Sequence, residues 1–569
     1  MITKNIRKTL VAGFVCCAVS AALTACSNIL DTDSELVEFE QDNTLNHPTD
    51  SVYSVLGIIN RMQIIADRTV LLGEVRGDLV STTEAASADL KRLASFDFSQ
   101  ANKYNRVSDY YAVINNCNYY LAHIDTALQR RGRTLFTYEY AAVKAFRAWT
   151  YLELAKAYGQ VPLVLTPVMT EREAQDAANG PAVGIAEICN YFVSDLTPYA
   201  LTELPQFGTI GDWNSQYFFI PMRALLGDLC LWAGRYEEAA RWYNNYLNDQ
   251  KRPIQMNYTN RIMWTSVSNF QRPSNSYNVT STNEILSLIP MESRVFDGTV
   301  SDIENVYGST RENNYYYQLT PSAGMHKISS DQIYCIEYKT DTETDTVYAP
   351  RTGFTDNNLI GDLRLYANYK QNAIGGQDPY SEYSSIRQTM SKVWNKLIPT
   401  YRRNMVYLRY AEALNRSGLP QSAMCILKYG ICAENIKSYV DSLEQEKAGT
   451  LIAFDENVFT RQNTIGMHSV GSGDSQCNEF FTLPLPPTQL ATRQDTVNYQ
   501  IPLVEDLIIN EMALEGAFEG NRFYDLMRVA LRRGDPAYLA DPIARRTSTY
   551  DGDLQSRLMN KDNWYLPLQ

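Results

Sequence analysis

Residues 141–165 read AAVKAFRAWTYLELAKAYGQVPLVL. The spacing predicts a helix over 141–158. Gly159 supplies the left-handed residue that ends helices, and Pro162 blocks any continuation. Val143, Phe146, Trp149, Leu152, Leu154, Ala155 and Tyr158 surround the axis instead of forming one stripe. The charges Lys144, Arg147, Glu153 and Lys156 step round it as well. A helix that is apolar on most sides is buried on most sides. Ala142, Ala145, Ala148 and Ala157 let neighbours approach closely, so the segment belongs inside a stack of helices.

The chain around it supplies that stack. Residues 50–68 place Val52, Val55, Leu56, Ile59, Met62 and Ile65 on one helical face. Residues 107–130 repeat Tyr110, Tyr111, Ile114, Cys117, Leu121 and Ile124 at helical spacing, and 184–201 form another helix. The polar stretch 71–106 between the first two reads as a surface loop. Residues 217–233 and 236–247 make a tight hairpin about Ala233-Gly234-Arg235. In YEEAARWYNNYL, Ala239, Ala240, Tyr243 and Leu247 face the partner helix, small residues at the closest approach and an aromatic beyond, as in tetratricopeptide repeats. Residues 401–416 and 420–429 repeat the arrangement about Arg416-Ser417-Gly418, and 503–519 and 521–533 do so about Gly520. The expected class is mostly α, a tetratricopeptide-like helical-repeat scaffold of about four helix pairs. Two stretches break it, 252–399 and 451–502. They are rich in polar and turn residues, with short alternating runs such as EILSLIP and QIYCIEY. Long irregular insertions in a compact protein are usually functional.

Composition narrows the function. The 569 residues are 45% hydrophobic and 20% charged, a globular balance. The net charge is −13. The first 25 residues hold Lys4, Arg7 and Lys8 and no acid, which leaves −16 on the rest. Such acidity argues against nucleic acid or an anionic lipid surface as the main partner. The 39 tyrosines outnumber phenylalanine and tryptophan together. Tyrosine suits wet binding surfaces and helix contacts alike, and packing accounts for most of them.

The N-terminus reads as an address. MITKNIRK is basic, LVAGFVCCAVSAAL is apolar but short for a membrane span, and Leu23-Thr24-Ala25-Cys26 follows. Small residues before a cysteine match the bacterial lipobox, which implies cleavage before Cys26 and lipid on it. Residues 1–25 are then a lipoprotein signal peptide, 26–49 an acidic tether and 50–569 the folded domain. Seven cysteines remain beyond Cys26, an odd number with no C-x-x-C spacing. Buried free thiols are expected and a disulfide framework is not.

Enzyme signatures are missing. His47, His123, His326 and His468 form no H-E-x-x-H or metal-ligand pair, and no nucleophile elbow or P-loop occurs. Asp341-x-Glu343-x-Asp345 lacks the glycine of a calcium loop. Two carboxylates suffice for a glycosidase, so a helical glycoside hydrolase stays open beside a binding protein. No cofactor or metal is expected.

Four segments resemble the SusD/RagB family of nutrient-binding outer-membrane lipoproteins. They are KAFRAWTYLELAKAYGQVPLVL, NMVYLRYAEALNRSG, IINEMALEGAFEGNRFYDLMRVA and the closing NWYLPLQ. Within the third, Glu519, Gly520, Arg522, Asp525, Leu526 and Arg528 match the E-G-x-R-x-x-D-L-x-R pattern, while Met512 stands where the family commonly has arginine. With the lipobox these segments span nearly the whole chain. The resemblance implies a surface-exposed, lipid-anchored outer-membrane protein. It would capture an oligo- or polysaccharide, or alternatively a peptide as in RagB-like uptake. It would then deliver that ligand to a SusC-type TonB-dependent transporter. Glu519, Arg522, Asp525, Arg528, Arg409 and Glu412 are read as scaffold ion pairs rather than ligand residues. Family members place ligands on loops in comparable regions. Those loops here offer Arg76, Asp78 and Asn105, then Trp264 and Tyr277, then Arg311, Asn313, Tyr315, Tyr316 and Tyr317 as ligand-binding candidates. Trp213 is read as packing.

Overall fold

The computed structural model describes residues 45, 47–256, 259–264, 273–292, 298–308, 317–348, 361–373, 386–392 and 397–568. Cys26, Arg311, Asn313, Tyr315 and Tyr316 lie outside the described residues, so the readings placed on them gain no geometry here.

Helix α1, Pro48–Val75, opens with the His47 side chain accepting from the Thr49 N–H at 3.3 Å. It continues well past 68 because Val70, Leu71, Leu72 and Val75 go on burying apolar surface. The stretch expected to be a surface loop therefore begins as helix. It also contains a short strand, β1, Val80–Thr82, and a helix, Ala88–Ser95, capped by Ser87. Helix α2, Val107–His123, packs on α1 and on α3, Thr137–Tyr158. Helix α3 is buried all round, as its composition demands: Val143, Phe146, Trp149, Leu152, Leu154 and Tyr158 are all buried. Its charges survive burial by pairing. Arg147 donates to Asn118 Oδ1 at 3.0 Å and to Asp195 at 3.3 Å, and Lys144 also pairs with Asp195. Gly159 ends the helix at φ 79°.

Helix α4, Ile185–Leu196, leads to the pair α5, Met222–Trp232, and α6, Tyr236–Leu247. The Tyr243 ring lies where a side chain on Gly227 would sit, 2.4 Å from a Cβ built there. A second pair is α7, Arg403–Arg416, with α8, Pro420–Lys428. A third is α9, Arg493–Glu515, with α10, Arg522–Arg533. Helix α7 packs against both α6 and α9, which joins the pairs into one stack. Helix α9 starts at Arg493 rather than near 503. A capping box between Thr492 and Asp495 nucleates it early, and Pro502 is carried inside it. That removes 493–502 from the second irregular stretch.

Within the insertions the alternating runs become strands. β2, Ile285–Pro290, pairs antiparallel with β6, Leu397–Arg402. β1 pairs with β3, Leu319–Pro321, and β4, Cys335–Lys339, pairs with β5, Thr344–Tyr348.

The end of α1 crosses the α9–α10 link with almost no clearance. A Cβ on Gly73 would meet the Gly520 carbonyl oxygen at 1.7 Å. Gly520 itself adopts φ +87°, with the Thr69 oxygen 2.2 Å from where its Cβ would be. Both carboxylate oxygens of Glu74 accept backbone N–H groups of that link, from Phe518 and Gly520, each at 2.8 Å.

Around the crossing lies a buried ionic network. Arg402 forks onto Glu519 with two bonds of 2.7 Å and also reaches Glu284 at 3.1 Å and Glu515 at 3.0 Å. Lys392 pairs with Glu519 as well. Arg364 joins Asp362, Glu511 and Glu515. Arg528 forks onto Glu412 at 2.9 and 2.6 Å and touches Asp525 at 2.9 Å. Arg409 meets Asp228 at 2.9 Å. Of these, only the Asp525–Arg528 bond runs within one helix turn. The other charges of the E-G-x-R segment pair across the fold, which makes them ties between elements. Met512 is buried, and Arg528 approaches its sulfur at 4.0 Å.

Candidate functional site

Two of the three loops proposed from sequence come together. The segment after α1 and the segment ending at Tyr317 join through β1 and β3, with Val80 opposite Pro321 and Thr82 opposite Leu319. Past the strand ends, the Thr83 N–H donates to the Gln318 carbonyl at 3.0 Å and the Thr83 hydroxyl to the Tyr317 carbonyl at 2.5 Å. Ser87 N–H donates to the Gln318 side chain at 2.9 Å. Tyr317 is half-buried at φ +59°, an uncommon conformation for a tyrosine, fixed by its N–H bond to Gly308 O at 2.9 Å. Glu84 and Ala85 stand exposed beside this join. It forms a polar rim of Thr82, Thr83, Glu84 and Tyr317.

The charged candidates of the first loop do not reach that rim. Arg76 is fully buried. It donates to Leu72 O at 2.7 Å, Trp564 O at 2.8 Å and Tyr524 Oη at 2.9 Å, with its guanidinium 4.3 Å from the Phe523 ring centre. Asp78 is spent on Arg522, at 2.6 and 2.9 Å. Asn105 is buried and donates to Pro567 O at 3.1 Å. The candidates Trp264 and Tyr277 are buried as well. Trp264 is 1% exposed, with its backbone N–H donating to Tyr334 Oη at 2.6 Å, and Tyr277 donates its hydroxyl to Glu515 O at 3.2 Å. These five side chains are therefore reassigned from ligand contacts to scaffold. All five are buried, and what they touch lies inside the fold. Trp213 rests edge-on against Tyr217, as packing.

A surface that sequence reading missed lies on the β4–β5 hairpin. Phe480 is 61% exposed and meets Tyr348 edge to face, centroids 5.3 Å apart. Glu337, Lys339, Thr344 and Thr346 are exposed on the same face of the hairpin as Tyr348, while Tyr338, 42% exposed, is on the opposite face. An open aromatic face can take the C–H face of a sugar ring, and the neighbouring hydroxyl, carboxylate and ammonium groups can bond its hydroxyls. The signal in the sequence was the doublet Phe480-Phe481. Phe481 turns inward and stacks on His468 at 3.7 Å, which obliges Phe480 to face out.

Two cavities lie among the described residues besides these surfaces. One, of about 60 Å³, sits within the ionic network among Asp228, Tyr401, Arg409, Glu519, Asp525 and Arg528. It has room for water and not for a sugar ring. The other is a groove of about 700 Å³ between α2 and residues 162–178. Its polar groups are already committed: Asn115 exchanges bonds of 2.8 and 2.7 Å with Val168, Asn118 donates to Val164 O and Thr166 O, and Tyr111 to Pro162 O. What it presents is apolar. Among the described residues, no three His, Cys, Asp or Glu side chains gather as a metal cluster, and no helix is long and apolar enough to cross a membrane.

Sequence comparison with known families and with curated proteins gives no match. Comparison of folds does. A SusD-like carbohydrate-binding protein from Bacteroides fragilis aligns over 85% of this chain and 87% of its own, with TM-score 0.55 and 17% identity. A SusD superfamily protein from Bacteroides vulgatus aligns over 92% and 96%, with TM-score 0.53 and 16% identity. One from Bacteroides thetaiotaomicron aligns over 93% and 96%, with TM-score 0.51 and 16% identity. This chain has the SusD-like fold.

Proposed function

We propose that this chain is a member of the SusD/RagB family, a glycan-binding lipoprotein anchored to the outer membrane through Cys26. It captures an oligo- or polysaccharide and hands it to a SusC-type TonB-dependent transporter. The observation that carries the reading is the fold shared over 85% of the chain with a SusD-like carbohydrate-binding protein. The Tyr348–Phe480 surface and the Thr82–Tyr317 rim supply the chemistry a sugar needs, an open aromatic face with polar groups beside it. Capture without hydrolysis fits the absence of a catalytic motif in the sequence. A lipid-tethered binding protein cannot itself carry ligand across a membrane, so a pore-forming partner is required.

Titration calorimetry of the purified chain against a panel of oligosaccharides tests the first part. Heat of binding with no release of reducing ends is expected. Release that one Asp or Glu substitution abolishes would move the chain to the glycoside hydrolases, and binding confined to peptides would move it to RagB-like peptide uptake. Affinity purification from gently solubilised native membranes tests the second part. A stoichiometric β-barrel partner is expected, and repeated recovery of the chain alone would leave a free surface binder.

A further inference from the structure

Seven cysteines lie among the described residues as free thiols. Cys117, Cys189, Cys230 and Cys425 are packed into helix contacts, where burial pushes their thiols up and leaves them inert. Cys335 and Cys477 differ. Their sulfurs lie 2.6 Å apart, although 142 positions separate them in sequence. The backbone imposes the approach. Cys335 opens β4 and bridges Gly473, with its N–H on Ser472 O at 3.1 Å and its carbonyl accepting from Asp474 N–H at 2.6 Å. The chain then turns, Cys477 N–H to Asp474 O at 3.1 Å, and points the second sulfur at the first. A bonded pair needs about 2.0 Å between sulfurs and Cα atoms within about 7 Å. Sulfurs already 2.6 Å apart need only a small further approach to reach that bond length.

We propose that Cys335 and Cys477 form a disulfide that fastens the β4–β5 hairpin to the 471–481 segment. The two sulfurs are not equivalent. Cys335 is fully buried, whereas Cys477 is partly exposed. The hydrogen bond between the two thiols holds Cys477 below the usual thiol range; Cys477 also donates to Asp474 O at 3.0 Å, and Lys428 lies nearby with its ammonium on Asn478 O at 2.8 Å. Cys477, the partly exposed sulfur, is the one an oxidant reaches, and as its thiolate it attacks first. It displaces one thiolate from a small-molecule or protein disulfide and forms a mixed disulfide. Cys335 then gives up its proton and attacks the Cys477 sulfur, expelling the second thiolate of the oxidant. Two thiols lose two electrons and two protons, and the oxidant's disulfide gains both. Because Tyr348 pairs with Cys335 in the hairpin and Phe480 follows Cys477 closely, the bond would fix the two aromatic rings relative to each other.

The test uses the purified full chain, reduced and then incubated with glutathione disulfide, acid-quenched, alkylated and mapped by mass spectrometry. It requires neither export nor ligand, so it can fail while the glycan reading stands. The expected product is a Cys335–Cys477 linked peptide, about 2 Da lighter than the two thiol peptides together, with Cys117, Cys189, Cys230, Cys425 and Cys432 alkylated. Glutathione retained on Cys477, alkylation of both residues, or a link to Cys432 would each overturn the proposal. A second reading uses the urea midpoint. The oxidised chain should unfold at higher urea than the reduced chain, and a Cys335→Ser/Cys477→Ser variant should show no dependence on glutathione state. A dependence retained in that variant would also overturn it.

Discussion

Replacing Glu412 by glutamine would remove one charge from the centre of the α7–α10 contact and little volume. Glu412 is fully buried and accepts from Arg528 at 2.9 and 2.6 Å and from Arg532 at 3.0 Å. Burial opposes its ionisation, but the two guanidinium groups overcome that and hold it at about 2, against an ordinary 4.5. A gap of about 2.5 pH units corresponds to about 3 kcal/mol of stability at pH 7. Breaking a buried ion pair from one side costs roughly 3–5 kcal/mol in general, so the two routes agree. Because the folded value lies below the unfolded one, this stability is fully present above pH 4.5 and is lost as pH falls toward 2. Urea unfolding of Glu412→Gln and the parent chain should therefore differ by about 3 kcal/mol at pH 7 and by only about 1.5 kcal/mol at pH 3. A difference below about 1 kcal/mol at pH 7, or one that does not shrink on acidification, would refute the assignment of Glu412 as an ionised structural tie.

Other substitutions separate scaffold from surface. Gly520→Ala forces a Cβ against the Thr69 oxygen at a left-handed φ, and a loss of at least ~2 kcal/mol in urea unfolding is expected. Trp264→Ala should cost about 3–5 kcal/mol of stability through the cavity it leaves; unchanged unfolding with lost glycan binding would return Trp264 to the ligand site. Phe480→Ala should leave the melting temperature alone and weaken oligosaccharide binding by about 1–2 kcal/mol in calorimetry. A Cys26→Ala chain should move from the membrane pellet to the soluble fraction, and continued sedimentation would deny Cys26 its anchoring role.

The helices were legible wherever burial leaves a local signature. Residues 141–158 announce their all-round burial by composition, and the Tyr236–Leu247 helix announces its partner by Ala239, Ala240 and Tyr243. What is held from a distance was not legible. Arg76 and Asp78 read as exposed polar residues because nothing near them in sequence shows that Trp564, Tyr524 and Arg522 will enclose them. Trp264 and Tyr277 looked available for the same reason. Phe480 was passed over because only the stacking of Phe481 on His468 decides which of two adjacent rings faces water. The odd cysteine count and the lack of C-x-x-C spacing argue against a disulfide framework, and the seven described cysteines are free thiols; no count shows which two sulfurs a strand bridge brings together.

The crossing at Gly73 and Gly520 also bears on how the chain is made. The end of α1 is completed by Phe518, Gly520 and Arg522, and Arg76 by Trp564. Asn105 finds its acceptor at Pro567, and the Ala157 carbonyl receives the Leu566 N–H. A chain emerging from its N-terminal end exposes α1, α2 and α3 for the whole time that the intervening four hundred or so residues take to appear, at roughly 5–20 residues per second. Early helices with large apolar faces and buried charges would have to wait unclosed, so the last fifty or so residues act as the latch of a late, long-range folding step. Under the proposed export that delay is an advantage, because a core that cannot close early cannot obstruct passage across a membrane.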